Sequence, residues 1–163
     1  PNGIEGGRII ETPIMAIDLL PTIAEITDAE LPKNKIDGKS VLKILTGEDH
    51  QSPQEAYFFY YKQNELHGVR YKDWKLYFPH SYRTLNGREG GKDGYPVKYE
   101  MNTVENIELY NLKNDISETN NVTAQYPEVV EKIKVLANEI RSKLGDKLYN
   151  TEGTENRPVG RIN

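Results

Sequence analysis

Three short runs rich in aromatic and β-branched residues, Ala56–Tyr61, Leu66–Tyr71 and Trp74–Phe78, stand about four and two residues apart. Connections that short admit only antiparallel hairpins, because a parallel crossover needs about a dozen residues or more. A fourth run, Ile107–Leu112, follows after a gap. The other strong pattern is Pro127–Leu144, where Val129, Val130, Ile133, Leu136, Ala137, Ile140 and Leu144 fall on one helical face. Pro127 suits the first helical position, Glu128 and Glu131 the positive end, Arg141 and Lys143 the negative end, and Gly145 the stop. At 1.5 Å per residue such a helix is about 27 Å long, enough to cover four strands. The expected class is α+β: a four-stranded antiparallel sheet packed against a long C-terminal helix.

The flanking segments carry weaker signals. Residues 1–14 mix Pro, Gly and charge with Ile9, Ile10 and Ile14, which suits an extended segment or a strand whose partner lies elsewhere. From Met15 the spacing of Ile17, Leu20, Ile23, Ala24 and Thr27 predicts a helix, with Asp18 or its predecessor as cap and Leu31-Pro32 as stop. Asp37-Gly38 makes a turn, and Ser40 caps a short helix over Val41–Leu45 that ends at Gly47. Residues 79–106 form a Gly-rich excursion without a strong period, long enough to suggest a functional loop. The expected division is 1–54 as an extended segment with helices, 55–147 as the α+β unit and 148–163 as a polar tail.

Composition removes several classes. At 163 residues and 18.7 kDa the chain is about one domain long. Its longest apolar runs are far too short to span a bilayer, and the mean hydropathy is -0.73. A net charge of -4 and a pI near 5.5 lack the footprint of a phosphate-backbone binder, so no nucleic-acid partner is expected. With no cysteine there is no disulfide frame, thiolate nucleophile or Cys-zinc site, and the compartment stays open. The chain opens at Pro1 without Met or a signal-peptide pattern, as an excised piece would.

Most motif tests fail. Gly38-Lys39-Ser40 looks like the end of a phosphate-binding loop, but Lys33 stands where that loop needs glycine. No G-x-G-x-x-G and no G-x-S-x-G is present. His50, His67 and His80 lack the spacing of a helical zinc site, and no acidic run resembles a calcium loop, so no metal ligands are assigned. His50 lies in a polar linker, and His67 falls on a strand, where packing or an exposed face would account for it. His80 opens the long excursion in Phe78-Pro79-His80-Ser81-Tyr82-Arg83, with Arg88 and Lys92 nearby. An imidazole among cations suits an anionic oxygen, against the plainer reading of a loop histidine without a role. Tyr57–Tyr61 is either a stacking platform or, as alternation in a central strand favours, core. Asn121-Val122-Thr123 matches a glycosylation sequon, which has meaning only in a host that glycosylates.

Taken in order, several short motifs resemble one family. Met15-Ala16-Ile17-Asp18-Leu19-Leu20-Pro21-Thr22-Ile23 and Ile36-Asp37-Gly38-Lys39-Ser40-Val41 resemble the D-L-x-P-T and I-D-G-x-S-L signatures of arylsulfatases. Gly68-Val69-Arg70 with Trp74-Lys75-Leu76 resembles their A-V-R…W-K-L hairpin, and Phe78–Arg83 a segment of the arylsulfatase A-like subgroup. Glu108-Leu109-Tyr110-Asn111-Leu112, Asp115, Glu118 and Asn120-Asn121-Val122 resemble E-L-Y-D-L…D-P-x-E-x-x-N, with Asn111 and Ile116 replacing the usual Asp and Pro. Leu144-Gly145-Asp146 and Arg157-Pro158-Val159-Gly160 resemble that subgroup's ends, and Pro1-Asn2-Gly3-Ile4 its P-G-x-I stretch. The C-x-P-S-R or S-x-P-S-R segment that carries the family's chemistry is not in this sequence.

The resemblance implies the C-terminal part of a sulfatase within the alkaline-phosphatase-like superfamily. It implies a parent that hydrolyses sulfate esters with an upstream formylglycine and calcium, neither supplied by these residues, and a periplasmic or secreted location. The implied partners are a missing N-terminal α/β catalytic domain, against which the segment before residue 55 packs, and a sulfate ester, a sulfated sugar among the candidates. The C-terminal part closes one wall of the cleft and is inactive alone, so no catalytic residue is assigned here. His80 is the best substrate contact, with Tyr60, Tyr61, Lys62, His67 and Arg83 as weaker rim candidates. Asp18 and Ser40 serve as caps, and Trp74 and Leu76 fill the core. Two rivals stand beside this reading: a stand-alone carbohydrate-binding module, and a structural interaction module without a ligand.

Overall fold

The computed structural model describes residues 3–157 and divides into two compact units, Pro1–Glu55 and Ala56–Asn163. The Arg157–Gly160 motif and the Pro1–Ile4 stretch fall partly outside the described residues.

In the first unit a single 3-10 turn, Ala16–Asp18, leads into α1 (Leu19–Thr27). The helix stops at Asp28, which takes a left-handed conformation with φ 53°, while Ala29 N–H closes onto the Ala24 carbonyl at 2.9 Å. The expected end at Leu31-Pro32 is therefore corrected: the local turn chemistry of Asp28 ends the helix before proline does. α2 covers Leu42–Thr46, and Ser40 Oγ accepts from Leu42 N–H at 3.2 Å before the chain turns at Gly47, φ 85°.

Asp18 makes no side-chain cap on α1. Fully buried, it accepts from the backbone N–H groups of Met15 and Lys39, both at 2.9 Å, and from Gln54 Nε2 at 2.8 Å. Thr22 donates to the Asp18 carbonyl at 2.6 Å and accepts from Val41 N–H at 3.0 Å. A Cβ on Gly38 would lie 2.0 Å from the Ile17 carbonyl oxygen, so only glycine lets these strands of chain meet. The apolar stripe of α1 faces outward. Leu19, Leu20, Ile23 and Ile26 are exposed, while Ala24 is buried with Pro21 and Thr22.

The second unit is built on a four-stranded antiparallel sheet of order β1-β2-β3-β6, from β1 (Tyr57–Tyr61), β2 (Glu65–Tyr71), β3 (Trp74–Tyr77) and β6 (Glu108–Asn111). Cross-strand pairs Val69–Leu76 and Leu76–Leu109 line the face covered by α3 (Pro127–Leu144). Leu66, Phe78, Val130, Ile133, Leu136 and Ala137 complete that core. Arg141, expected only to favour the negative end of α3, is itself buried and donates to Asp146 at 2.8 Å between the rings of Phe78 and Tyr149. Trp74 is half-buried against Tyr126, with ring centroids 4.6 Å apart.

The excursion 79–106 is not a structureless loop, which corrects the sequence reading. It contains a second hairpin, β4 (His80–Thr84) paired antiparallel with β5 (Glu100–Val104). Four of the five β5 residues are exposed, so the strand carries no buried alternation for a sequence pattern to register. After α3, β7 (Gly145–Asp146) pairs with β8 (Thr151–Glu152). Thr154 and Glu155 N–H groups then donate to Ser142 and Lys143 carbonyls, so the polar segment is tied to the helix at least that far.

Candidate functional site

The sheet face opposite α3 is open, and a β-bulge decides what it presents. Phe59 pairs with Gly68 but Tyr60 pairs with Leu66, so His67 is an extra residue in β2. The bulge keeps Leu66 and Val69 both in the core and turns His67 to the other side with Phe59. Gly68 beside it leaves room for the Tyr77 ring, whose Cδ1 would lie 3.2 Å from an added Cβ. Pro79 then ends β3, and the first residue of β4, His80, returns over this face.

His67 and His80 stack with ring centroids 3.9 Å apart and planes inclined by 27°. Both are buried, at 6% and 8% exposure, so little of either ring meets bulk water. Each imidazole has one nitrogen anchored. His80 Nδ1 lies 2.6 Å from the Phe78 carbonyl, which can only accept, so Nδ1 carries the hydrogen and Nε2 faces outward. His67 Nε2 lies 2.9 Å from Glu65, whose carboxyl is held below its usual range by that bond, against burial and with help from Lys62. Burial pushes the His80 pKa below the ordinary 6.5, the Phe78 bond opposes it, and the charges of His67 and Lys62 add to the depression. At neutral pH Nε2 of His80 is therefore an unprotonated acceptor.

Around this pair lies a cleft of about 490 Å³, lined by Phe59, Tyr61, Lys75, Tyr77, Tyr82 and Arg83 together with the two histidines and the edge of β1. Its charged lining residues are cationic, with no carboxylate among them. Lys75 reaches Glu118 at 2.7 Å and lies over the rings of Tyr77 and Phe59. Burial works against its ammonium, but the bonds to Glu118 and Tyr77 win and raise its pKa. Tyr77 donates to the same Glu118 at 2.8 Å, and burial pushes its phenol up.

Of the residues singled out in the sequence, His80, His67, Tyr61 and Arg83 meet at this cleft. Tyr60 touches its edge, but its hydroxyl is spent on the Gly145 carbonyl at 2.8 Å, and burial pushes that phenol up to about 12. Lys62 is absent from the lining and lies 3.3 Å from Glu65. Lys75, Tyr77, Tyr82 and Glu65 were not singled out in the sequence, and Phe59 only within the Tyr57–Tyr61 run. Period-two alternation around the core residue Leu76 places Lys75 and Tyr77 on the open face, a signal available in the sequence. Glu65 depended on the bulge, which no pattern marks. Among the described residues no group of three or more His, Asp or Glu side chains could hold a metal ion.

An antiparallel sheet backed by one long helix, with an aromatic cleft on its open face whose charged lining residues are cationic, defines an α+β subdomain. The family model for the C-terminal region of aryl-sulfatase matches residues 52–161, and that for the C-terminal part of N-sulphoglucosamine sulphohydrolase matches residues 1–88. The chain belongs to the sulfatase family, as a C-terminal part. It is similar to a sulfatase of Formosa agariphila, 32% identical over 78% of this chain and 21% of that protein. An N-acetylgalactosamine-6-O-sulfatase of Bacteroides thetaiotaomicron is 27% identical over 78% of this chain and 23% of its own. A structure solved in work on glycosaminoglycan metabolism by Bacteroides thetaiotaomicron superimposes with TM-score 0.57 at 27% identity, over 77% of this chain and 24% of that one. The chain thus spans under a quarter of these relatives, and no described helix is long and apolar enough to cross a membrane.

Proposed function

We propose that this chain forms one wall of the substrate cleft of a sulfate-ester hydrolase and is inactive by itself. The observation that carries the reading is the stacked His67–His80 pair set among Arg83, Lys75 and aromatic rings. A sulfate ester is anionic at every working pH, and a partly desolvated cleft with cationic lining attracts it. His80 contacts the sulfate or the leaving-group oxygen through Nε2, the nitrogen that Phe78 leaves available. An anion placed there stabilises the imidazolium and draws a proton onto a ring that is neutral in the free cleft. That proton is then positioned for an oxygen that gains charge as the ester breaks. Arg83, His67 and Tyr61 form the rim, while Tyr60 and Lys62 hold the frame.

In this reading the nucleophile and calcium would belong to the rest of the protein, where a formylglycine would supply the nucleophile and the metal would supply charge neutralisation. The partner that carries them is an N-terminal catalytic domain, and the exposed Leu19, Leu20, Ile23 and Ile26 offer it an apolar surface of the kind that rarely stays bare. The substrate class is a sulfated sugar, supported by the aromatic lining and by the glycan-directed name of the Bacteroides relative. A periplasmic or secreted location accompanies the family reading.

In the full-length protein, His80→Ala lowers kcat/KM by about 10- to 1,000-fold, the scale of losing one aimed donor. Unchanged kcat/KM demotes His80 to scaffold. Calorimetry in buffers of different ionisation heat should show proton uptake when a sulfate ester binds near pH 7. Metal-dependent turnover of an aryl sulfate by these 163 residues alone would contradict the whole reading.

A further inference from the structure

A second cleft, of about 420 Å³, adjoins the first and shares three of its walls, Tyr77, His80 and Tyr82. Its remaining lining is of opposite character: Glu108, Glu118, Tyr110, Ser117 and Val104, with no lysine or arginine. Glu108 accepts from the Tyr110 hydroxyl at 2.9 Å through one oxygen, and among the described residues nothing bonds the other. Tyr82 OH accepts from Asn102 Nδ2 at 3.1 Å and keeps its own hydrogen to donate. His80, more than nine-tenths buried, borders both clefts; its Nδ1 is occupied, and among the described residues its Nε2 has no hydrogen-bond partner.

We infer that this second cleft is a subsite for an unsulfated sugar ring next to the sulfated one, so that the substrate is at least a disaccharide. The inference rests on the sulfate-ester reading of the first cleft. Glu118 is paired with Lys75 at 2.7 Å, so the carboxylate that repels a sulfate group there is Glu108, which makes the second cleft a poor copy of the first. A pyranose ring fits its chemistry: hydroxyls donate to carboxylate oxygens in charge-assisted bonds, while the ring's C–H faces lie against tyrosines. Because Tyr77, His80 and Tyr82 border both clefts, two linked rings occupy them without an intervening residue.

The test is NMR and calorimetric titration of the 163-residue chain with three probes: sulfated galactose, sulfated lactose in which that ring carries an unsulfated glucose, and lactose itself. Sulfated lactose should bind about tenfold tighter than sulfated galactose, and it alone of the two sulfated probes should shift the signals of Ser117 and Tyr110. Ser117 is exposed. Ser117→Trp, which fills the second cleft, should erase the tenfold advantage and leave sulfated galactose unaffected. Equal binding of the two sulfated probes, equal weakening of both by Ser117→Trp, or no shift at Ser117 and Tyr110 with any probe overturns the inference. Lactose shifting Ser117 and Tyr110 while neither sulfated probe disturbs His67 or Arg83 would keep the second subsite and discard the sulfate reading of the first.

Discussion

The two compact units solve the folding problem in opposite ways. In residues 56–163, Leu66, Val69, Leu76, Leu109 and Ile133 are fully buried, and polar side chains collect on the open sheet face. Residues 1–55 bury Val41 and Ile44 beside the carboxylate of Asp18, as the second unit buries Asp146 against Arg141, but here Ile9 is 90% exposed and Ile23 and Ile26 are 57% exposed. The second unit is held by apolar area removed from water, which is non-directional and cumulative. Directed hydrogen bonds to Asp18 and Thr22 hold the first around a small apolar cluster of Ala24, Val41 and Ile44, and the stripe of α1 stays outside it. The larger apolar core lies in the second unit, and the exposed helical stripe in the first.

The largest expected effect lies in the second unit. Leu76 touches both Val69 and Leu109 across the sheet and packs under α3. Leu76→Ala removes three buried carbons and leaves a cavity, at a cost of about 2–5 kcal/mol. Denaturant unfolding followed by the fluorescence of Trp74, the single tryptophan, reads this directly. A change below about 0.5 kcal/mol would mean that the sheet–helix core is not what stabilises the unit.

Next in size is Asp18→Ala, which orphans the N–H groups of Met15 and Lys39 and the Gln54 amide. Each unsatisfied buried donor costs about 1–3 kcal/mol, lessened where water can enter. Hydrogen exchange resolved by residue range should show lost protection at Met15, Lys39 and Val41 with α3 unchanged. Uniform loss along the whole chain would break the comparison, because it would make Asp18 part of a common core.

The sheet, its partners and α3 were legible because their residues obey two strict periods: alternation in Trp74-Lys75-Leu76-Tyr77, and the helical stripe of Val130, Ile133 and Ala137. His80 stood out as a histidine beside Arg83, Arg88 and Lys92 just after a strand, but of these cations only Arg83 lines the cleft, while Arg88 and Lys92 pair with Glu100 and Glu89. The features that failed to register depend on non-local geometry. Asp18 reads as a helix cap, and only the fold brings Lys39 and Gln54 to it. Glu118 lies 43 residues from the lysine it pairs with, and Arg141 reads as a surface residue until Asp146 folds back beneath it. His67 was named as a rim residue, but its stacking on His80 comes from a bulge, an insertion invisible to any periodic template. Exposed β5 gave no hydrophobic alternation, so the hairpin that carries His80 was read as loop.

The smallest expected effect is the sharpest probe of the contrast between the units. Ile23 is a large aliphatic residue at the centre of α1, a position where truncation in an ordinary helix costs several kcal/mol. Here its side chain faces outward beside Leu19, Leu20 and Ile26, so Ile23→Ser gives up little burial and should change the stability of this chain by no more than about 0.5 kcal/mol. Removing that apolar area should also reduce any self-association, which sedimentation at several concentrations would report. In the full-length protein the same substitution should be costly, since it would place a hydroxyl against whatever covers the helix, and a drop in melting temperature would register it. A loss of about 2 kcal/mol or more in the 163-residue chain by itself would show that α1 already buries this face, and the division between a self-sufficient unit and a dependent one would not stand.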